Sequence, residues 1–456
     1  MGVSVSRRSL LRVGSLGLGG SVFSLPQFLA AKAAAPALVK DKTVVFLFMH
    51  GGPGQAETFD PKMDQPSEIR SATGEIPTTL PGITFGSTFP KLARLAHKLA
   101  IIRSFTTGDG NHDIKPIVGK NSLGANIGSL YSRVAGPTVL DTGMPRNVAL
   151  YPRAVDDSAM EAFTKFGDFA SPGPLGAAYA PFAPGAGGTL QADMTLQISR
   201  RRLEDRRHLL GELDQTRRAL DEGAAEGING FQQQAFDTIL GGIAEAFDLT
   251  KEDPRTIARY DTGPLVNPNS IRKIWENHER YRDHGQTLGK LMLLARRLCE
   301  RGAGFVTVTT NFVWDMHADK NNATMTEGME YVGKPFDHAV SAFIEDCEER
   351  GLGEKVLLVC CGEMGRNPKI NAKGGRDHWG RLAPLMLYGG GLKTGQVIGQ
   401  SDRQGGEPAS APITMGNLTT TILHSLLDLN QVRVMDGLSN DLLSAMTGPS
   451  VIRDLI

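Results

Sequence analysis
The stretch Thr43-Val44-Val45-Phe46-Leu47-Phe48-Met49 is apolar throughout after its threonine and closes on His50-Gly51-Gly52-Pro53. A strand with one wet face alternates apolar and polar residues, whereas a strand buried on both faces does not. The stretch therefore predicts a central strand. Similar runs recur at 99–105, 304–310, 356–361 and 385–388, with helical patterns over 89–98, 126–134, 271–301, 335–349 and 418–427. Strands alternating with helices predict an α/β fold with a mostly parallel, doubly wound sheet. Such a sheet keeps its functional residues at the carboxyl ends of its strands.

The chain has 456 residues, and its 49 basic residues cancel its 49 acidic ones, which argues against a nucleic-acid protein held by bulk charge. Four cysteines in this length exclude a disulfide scaffold. Cys299 and Cys347 fall on helical patterns, Cys360-Cys361 on opposite faces of one strand, and no C-x-x-C occurs. All four are therefore expected to be core residues.

Residues 1–35 have the make-up of an export signal. Ser6-Arg7-Arg8-Ser9-Leu10-Leu11-Arg12 is a twin-arginine block, and the apolar run after it is diluted by Gly14, Gly17, Gly19, Gly20 and Pro26. Ala33-Ala34-Ala35 offers a signal peptidase its small residues. The run is too short and too glycine-rich for a good membrane span, so no stable span is expected after cleavage. Removing this segment takes away Arg7, Arg8, Arg12 and Lys32 and no acid, a change in net charge from 0 to −4. The expected partner is the twin-arginine export machinery and the expected location periplasmic or secreted. That route carries folded proteins, often with a cofactor in place.

Residues 36–456 are expected to form one domain, with a loop and helical insertion over about 156–300. Within it, 170–189 is rich in Gly, Pro and Ala. The stretch 196–248 interleaves arginines such as Arg200, Arg201 and Arg202 with Glu204, Asp205 and Glu212, the composition of a solvated helix face.

Four polar clusters follow the apolar runs: His50 to Lys62; Asn111-His112-Asp113; Trp314-Asp315-Met316-His317; and Gly362-Glu363-Met364-Gly365-Arg366-Asn367-Pro368 with Gly375-Arg376-Asp377-His378-Trp379. Carboxylates and imidazoles converging from several strand ends suit a divalent metal. Asp315 and His317 point the same way if their stretch is extended. Asp377 and His378 need a turn to reach one ion. Glu363 ends a strand.

The strings GGPGQAETFDPK, WDMH, CGEMGRNPKI and GGRDHWG, with the twin-arginine start, resemble the exported bacterial proteins of domain-of-unknown-function family 1501, from about residue 40 to the C-terminus. That family is similar to the alkaline phosphatases and sulfatases. The resemblance implies an alkaline-phosphatase-like fold, a metal site at Asp315, His317, Glu363, Asp377 and His378, and hydrolysis of small phosphate or sulfate esters. Glu363 would take the strand end where that superfamily has an Asp-His pair, and His378 its later lone histidine. The ion would be Zn, Mn or Ca. Gly54 stands where the family pattern has serine, and Glu57 where it has aspartate. The superfamily also closes its first strand on an aspartate with a Ser, Thr or Cys nucleophile beyond it, where this chain has His50-Gly51-Gly52.

The catalytic candidates are His112 as acid, base or further ligand, Arg366 as an anion clamp beside Arg103 and Arg376, and Thr58 as a hydroxyl in the first cluster. Ser104, Thr106 and Thr107 offer other hydroxyls, none activated, so the nucleophile stays unassigned. His50-Gly51-Gly52-Pro53 also resembles the oxyanion loop of α/β-hydrolases, but residues 36–456 have no G-x-S-x-G elbow. Ser270-x-x-Lys273 and Lys393-Thr394-Gly395 match penicillin-binding motifs in the wrong order and context. The alternative is a non-catalytic exported binding or assembly protein on a degenerate phosphatase-like fold.

Overall fold
A computed structural model describes residues 38–139, 142–184 and 244–456. Strand β1, Thr43–Phe48, is buried at every position. Val44, Phe46 and Phe48 enter one core while Val45 and Leu47 enter another, which is why the sequence shows no polar alternation there. The following strands are β2 Leu99–Ile102, β3 Asn147–Leu150, β4 Phe305–Thr309, β5 Val356–Cys361, β6 Gly365–Ile370, β7 Arg376–Trp379, β8 Leu385–Gly389 and β9 Gln396–Ile398.

Seven of these strands form one sheet in the order β9-β2-β8-β5-β1-β4-β3. The pairs β9/β2, β5/β1, β1/β4 and β4/β3 are parallel, with Val45 level with Val306 and Leu358. Only β8 opposes its neighbours β2 and β5. The chain leaves β5, makes the hairpin β6/β7 and re-enters beside β5 at the same sheet edge, and a return without a crossover must be antiparallel.

Four longer helices cover the sheet: α1 Ile127–Ala135, α2 His278–Glu300, α3 Met325–Glu349 and α4 Met415–Leu426. Helices α2 and α3 pack on the Val45 face and α1 and α4 on the Phe46 face, so the sheet is doubly wound. The predicted helix over 335–349 begins earlier. Thr324 caps α3 by accepting from Glu327 N at 3.2 Å, and Pro335 lies inside the helix. The helix predicted from 271 starts at His278, because buried Ile271 and Trp275 pack from a loop. The run 99–105 splits: after β2, Phe105–Thr106 pairs with Ile413–Thr414 apart from the main sheet. Strands β3 and β9 had no counterpart in the sequence reading.

Residues 1–37 and 185–243, which include the expected signal and most of the expected helical insertion, lie outside the described residues. Helix α2, at the end of that expected insertion, is a main layer of the core. All four cysteines are buried and unpaired. Among the described residues no helix is long and apolar enough to cross a membrane.

Candidate metal centre
The turn after β1 organises the site through its backbone. Gly51 and Gly52 have φ of +114° and +87°, and a Cβ on Gly51 would lie 2.5 Å from Asp315 N. Only glycine fits so close an approach at positive φ. The His50 carbonyl accepts from Val313 N at 3.1 Å and Trp314 N at 3.0 Å, tying down the loop after β4 that carries Asp315. Gly51 N donates to both Glu363 oxygens, at 2.9 and 3.1 Å, tying down the end of β5. The Gly51 and Gly52 carbonyls accept from Arg366 Nη2 and Nε, which fixes β6. The Gly51 N–H is therefore spent on a carboxylate and cannot serve an oxyanion hole.

On this turn converge His112 from the chain beyond β2, Asp315 and His317 from the loop after β4, and His378 from β7. Each offers a ligand atom, and the four atoms lie within 4.8 Å of one another. Asp315 Oδ1 is the focus, 2.6 Å from His317 Nε2, 3.2 Å from His378 Nε2, 3.4 Å from His112 Nε2 and 2.6 Å from Arg366 Nη2. The His317 and His378 Nε2 atoms are 2.8 Å apart. One carboxylate oxygen has two lone pairs, and here it faces four nitrogens. Tetrahedral ligands about 2.0–2.1 Å from zinc stand about 3.3 Å from one another. The Asp315–histidine distances of 2.6 to 3.4 Å bracket that spacing, so one His₃Asp set fits a divalent ion.

Electrostatics favours the ligand form at Asp315 and His378. Burial alone would raise the Asp315 pKa, but the Arg366 charge and hydrogen bonds from the three histidines hold it well below the usual carboxylate range. Burial, with Arg366 and His112 adding to it, lowers His378. For His112 burial acts downward and is outweighed by Asp315 and Glu363, so its pKa is raised. Burial raises Glu363 against the pull of His112 and Arg366. Asn322 Nδ2 donates to the other Asp315 oxygen at 3.0 Å.

The chain matches the family described as protein of unknown function, DUF1501, over residues 41–456. It belongs to that family. Among curated proteins, none matches this DUF1501 chain. Of the solved structures similar to it, the PsFucS1 sulfatase from Pseudoalteromonas sp. is 11% identical with a TM-score of 0.35, the match covering 93% of this chain and 72% of that one. The lipoteichoic acid synthase LtaP from Listeria monocytogenes is 8% identical at a TM-score of 0.32, covering 91% and 74%. The phosphonate monoester hydrolase SpPMH from Silicibacter pomeroyi is 13% identical at 0.29, covering 84% and 73%. Likeness at these scores supports no inference about site chemistry.

In this DUF1501 protein the sequence candidates fall into three groups. Asp315, His317 and His378 meet, and His112 joins them. Glu363 stands behind His112, its Oε1 3.1 Å from Nδ1, outside the set of four. Asp377 is exposed, with Oδ1 3.9 Å from His317 Nδ1, and it accepts from Asn371 Nδ2 at 3.1 Å. Arg366 is fully buried and engaged with Gly51, Gly52, Arg376 and Asp315. That arrangement positions Asp315 and leaves little of the guanidinium for an incoming anion. Arg376 pairs with Glu57 at 2.9 Å, and Arg103 bonds Phe59 O and Asp60. Thr58 gives its hydroxyl to the Gly54 and Gln55 carbonyls, at 2.8 and 3.3 Å. Among the described residues, no hydroxyl bonds any of the four converging side chains.

Gly54 and Glu57, the two positions marked as departures in the resemblance, are neighbours in space. A Cβ on Gly54 would lie 2.6 Å from Glu57 Oε2, so the glycine makes room for the longer acid. Asn322, by contrast, had no sequence signal, since its role depends on how the loop after His317 folds back.

Proposed function
We propose that this DUF1501 protein is an exported, metal-dependent hydrolase of small phosphate or sulfate esters, of the alkaline-phosphatase-like type. The observation that carries the reading is the convergence of His112, Asp315, His317 and His378 beside the turn that closes β1, at the carboxyl end of the parallel pair β1 and β4. A divalent ion, Zn, Mn or Ca, would supply Lewis acidity toward an ester oxygen. Glu363 accepts a hydrogen bond from His112 Nδ1, which leaves Nε2 facing the cluster. Arg366 keeps Asp315 ionised and fixed. With no hydroxyl bonded into the cluster among the described residues, we assign water as the nucleophile. Asp377, beside His317, belongs to the outer ring of this proposal. Export by the twin-arginine route rests on Ser6 to Arg12 and on Ala33-Ala34-Ala35.

The test is hydrolysis of nitrophenyl phosphate and nitrophenyl sulfate. Activity should vanish with chelator and return with a divalent ion. Turnover untouched by exhaustive chelation would end the metal reading.

A further inference from the structure
The mechanism above uses the backbone of His50 and leaves its imidazole idle. That ring is fully buried, and neither nitrogen has a hydrogen-bond partner among the described residues. It sits in a box of phenylalanines, with ring centroids at 5.0 Å for Phe312, 5.4 Å for Phe163, 5.5 Å for Phe48, 5.6 Å for Phe169 and 6.3 Å for Phe166. Burial, then the charges of His112 and Arg280, push its pKa down to about 3, so the ring is neutral. A neutral imidazole carries one donor and one acceptor, and leaving both unmet in an apolar box is costly. A buried polar group of this kind calls for a partner that is itself uncharged.

The box adjoins the metal centre. Phe312 and Phe166 both pack on His112, each with its centroid 4.8 Å away. Its outer wall is a strap. Met160 N is anchored to Asp283 Oδ2 at 2.7 Å, and Phe169 O to Asn126 Nδ2 at 2.9 Å. Between these points, among the described residues, the backbone of 162–167 makes no hydrogen bond to the rest of the protein, only an internal one from Gly167 N to Thr164 O at 3.1 Å. This stretch is held mainly by packing, above all the rings of Phe163 and Phe166. Phe163 stacks on Phe312 at 5.0 Å and 25°, the place a guest ring would take.

We propose that the His50 box is a second subsite, which receives the uncharged aromatic part of an ester whose anionic end lies at the His112–Asp315–His317–His378 cluster. The strap rings give way to the guest, and His50 supplies its hydrogen bond. The inference rests on the hydrolase reading for the anionic end and deepens it: the substrate class is esters of phenol-like alcohols.

The test is phenol binding to the full chain by isothermal titration, which needs no turnover. Wild type should bind one phenol saturably. His50→Leu should bind at least tenfold more weakly, with thermal unfolding showing that it is folded. Phe163→Ala with Phe166→Ala should bind about tenfold more tightly, because the internal competitor is gone, whereas rings serving only as wall would give weaker binding. Phenol binding that is absent, or unchanged in His50→Leu, overturns the subsite, as does weaker binding in the double variant. Nitrophenyl ester turnover separates the two proposals: the phenol pattern without turnover keeps the subsite and removes the hydrolase, and turnover without the phenol pattern does the reverse.

Discussion
Replacing His50 with leucine should stabilise the protein, and increasingly so as the solution is acidified. The imidazole is buried with both nitrogens unpartnered, and leucine is similar in volume and apolar. Each unmet polar group costs about 1–3 kcal/mol, so a gain of about 2 kcal/mol at pH 7.5 is a low-end expectation. The acid dependence follows from linkage. Unfolded histidine titrates near 6.5, whereas burial holds folded His50 at about 3. The folded pKa is the lower one, so His50 costs the fold nothing electrostatically above pH 6.5 and destabilises it progressively as pH falls toward 3. At pH 5 that loss is about 2 kcal/mol, and the full shift is worth about 5 kcal/mol. The advantage of His50→Leu should therefore grow from about 2 to about 4 kcal/mol between pH 7.5 and pH 5. His284, also buried and lowered to about 4, stays in both proteins and cancels in the difference. Urea unfolding of both proteins across this range measures it. A difference that stays flat with pH, or a variant less stable at pH 7.5, would refute the picture of a neutral, unpartnered ring.

Three further substitutions test how the site is built. Gly51→Ala puts a Cβ 2.5 Å from Asp315 N at a φ of +114°, so zinc uptake by the purified protein should fall at least tenfold; unchanged uptake would contradict the role given to the turn. Glu363→Gln removes the carboxylate that orients His112, and zinc affinity by competition with a chelating dye should drop roughly 10–100-fold, with no drop counting against that role. Gly54→Ser should lower stability to urea by about 1–3 kcal/mol through crowding of Glu57, and adding Glu57→Asp should restore it; failure of the second change to rescue the first would show that the two positions are independent.

The central strands were legible because burial on both faces leaves β1 apolar after Thr43 and β5 without any charged or amide residue. Strand β3 was not, since four residues including Asn147 and Ala149 at a sheet edge carry little pattern. The start of α3 was hidden by Pro335, which reads as a helix start yet sits inside a helix begun by the Thr324 cap. Asp315 and His317 could be named because they follow the apolar run of β4, and His378 because it lies in the string GGRDHWG that carries the family resemblance. The sequence could not separate a ligand from the group behind it. Glu363 and His112 lie 251 residues apart, and which of them faces the cluster depends on the backbone of Gly51. The same holds for Arg366, whose burial under the Gly51 and Gly52 carbonyls no local motif announces.

Metal content decides most directly between a built centre and a chance gathering of side chains. The full chain, exposed to zinc and dialysed, should retain one equivalent by inductively coupled plasma mass spectrometry. Asp315→Ala and His317→Ala should lose it, and Asp377→Ala and Thr58→Ala should keep it. A wild-type protein that retains no metal, or an Asp315→Ala variant that retains as much as wild type, would contradict the assignment.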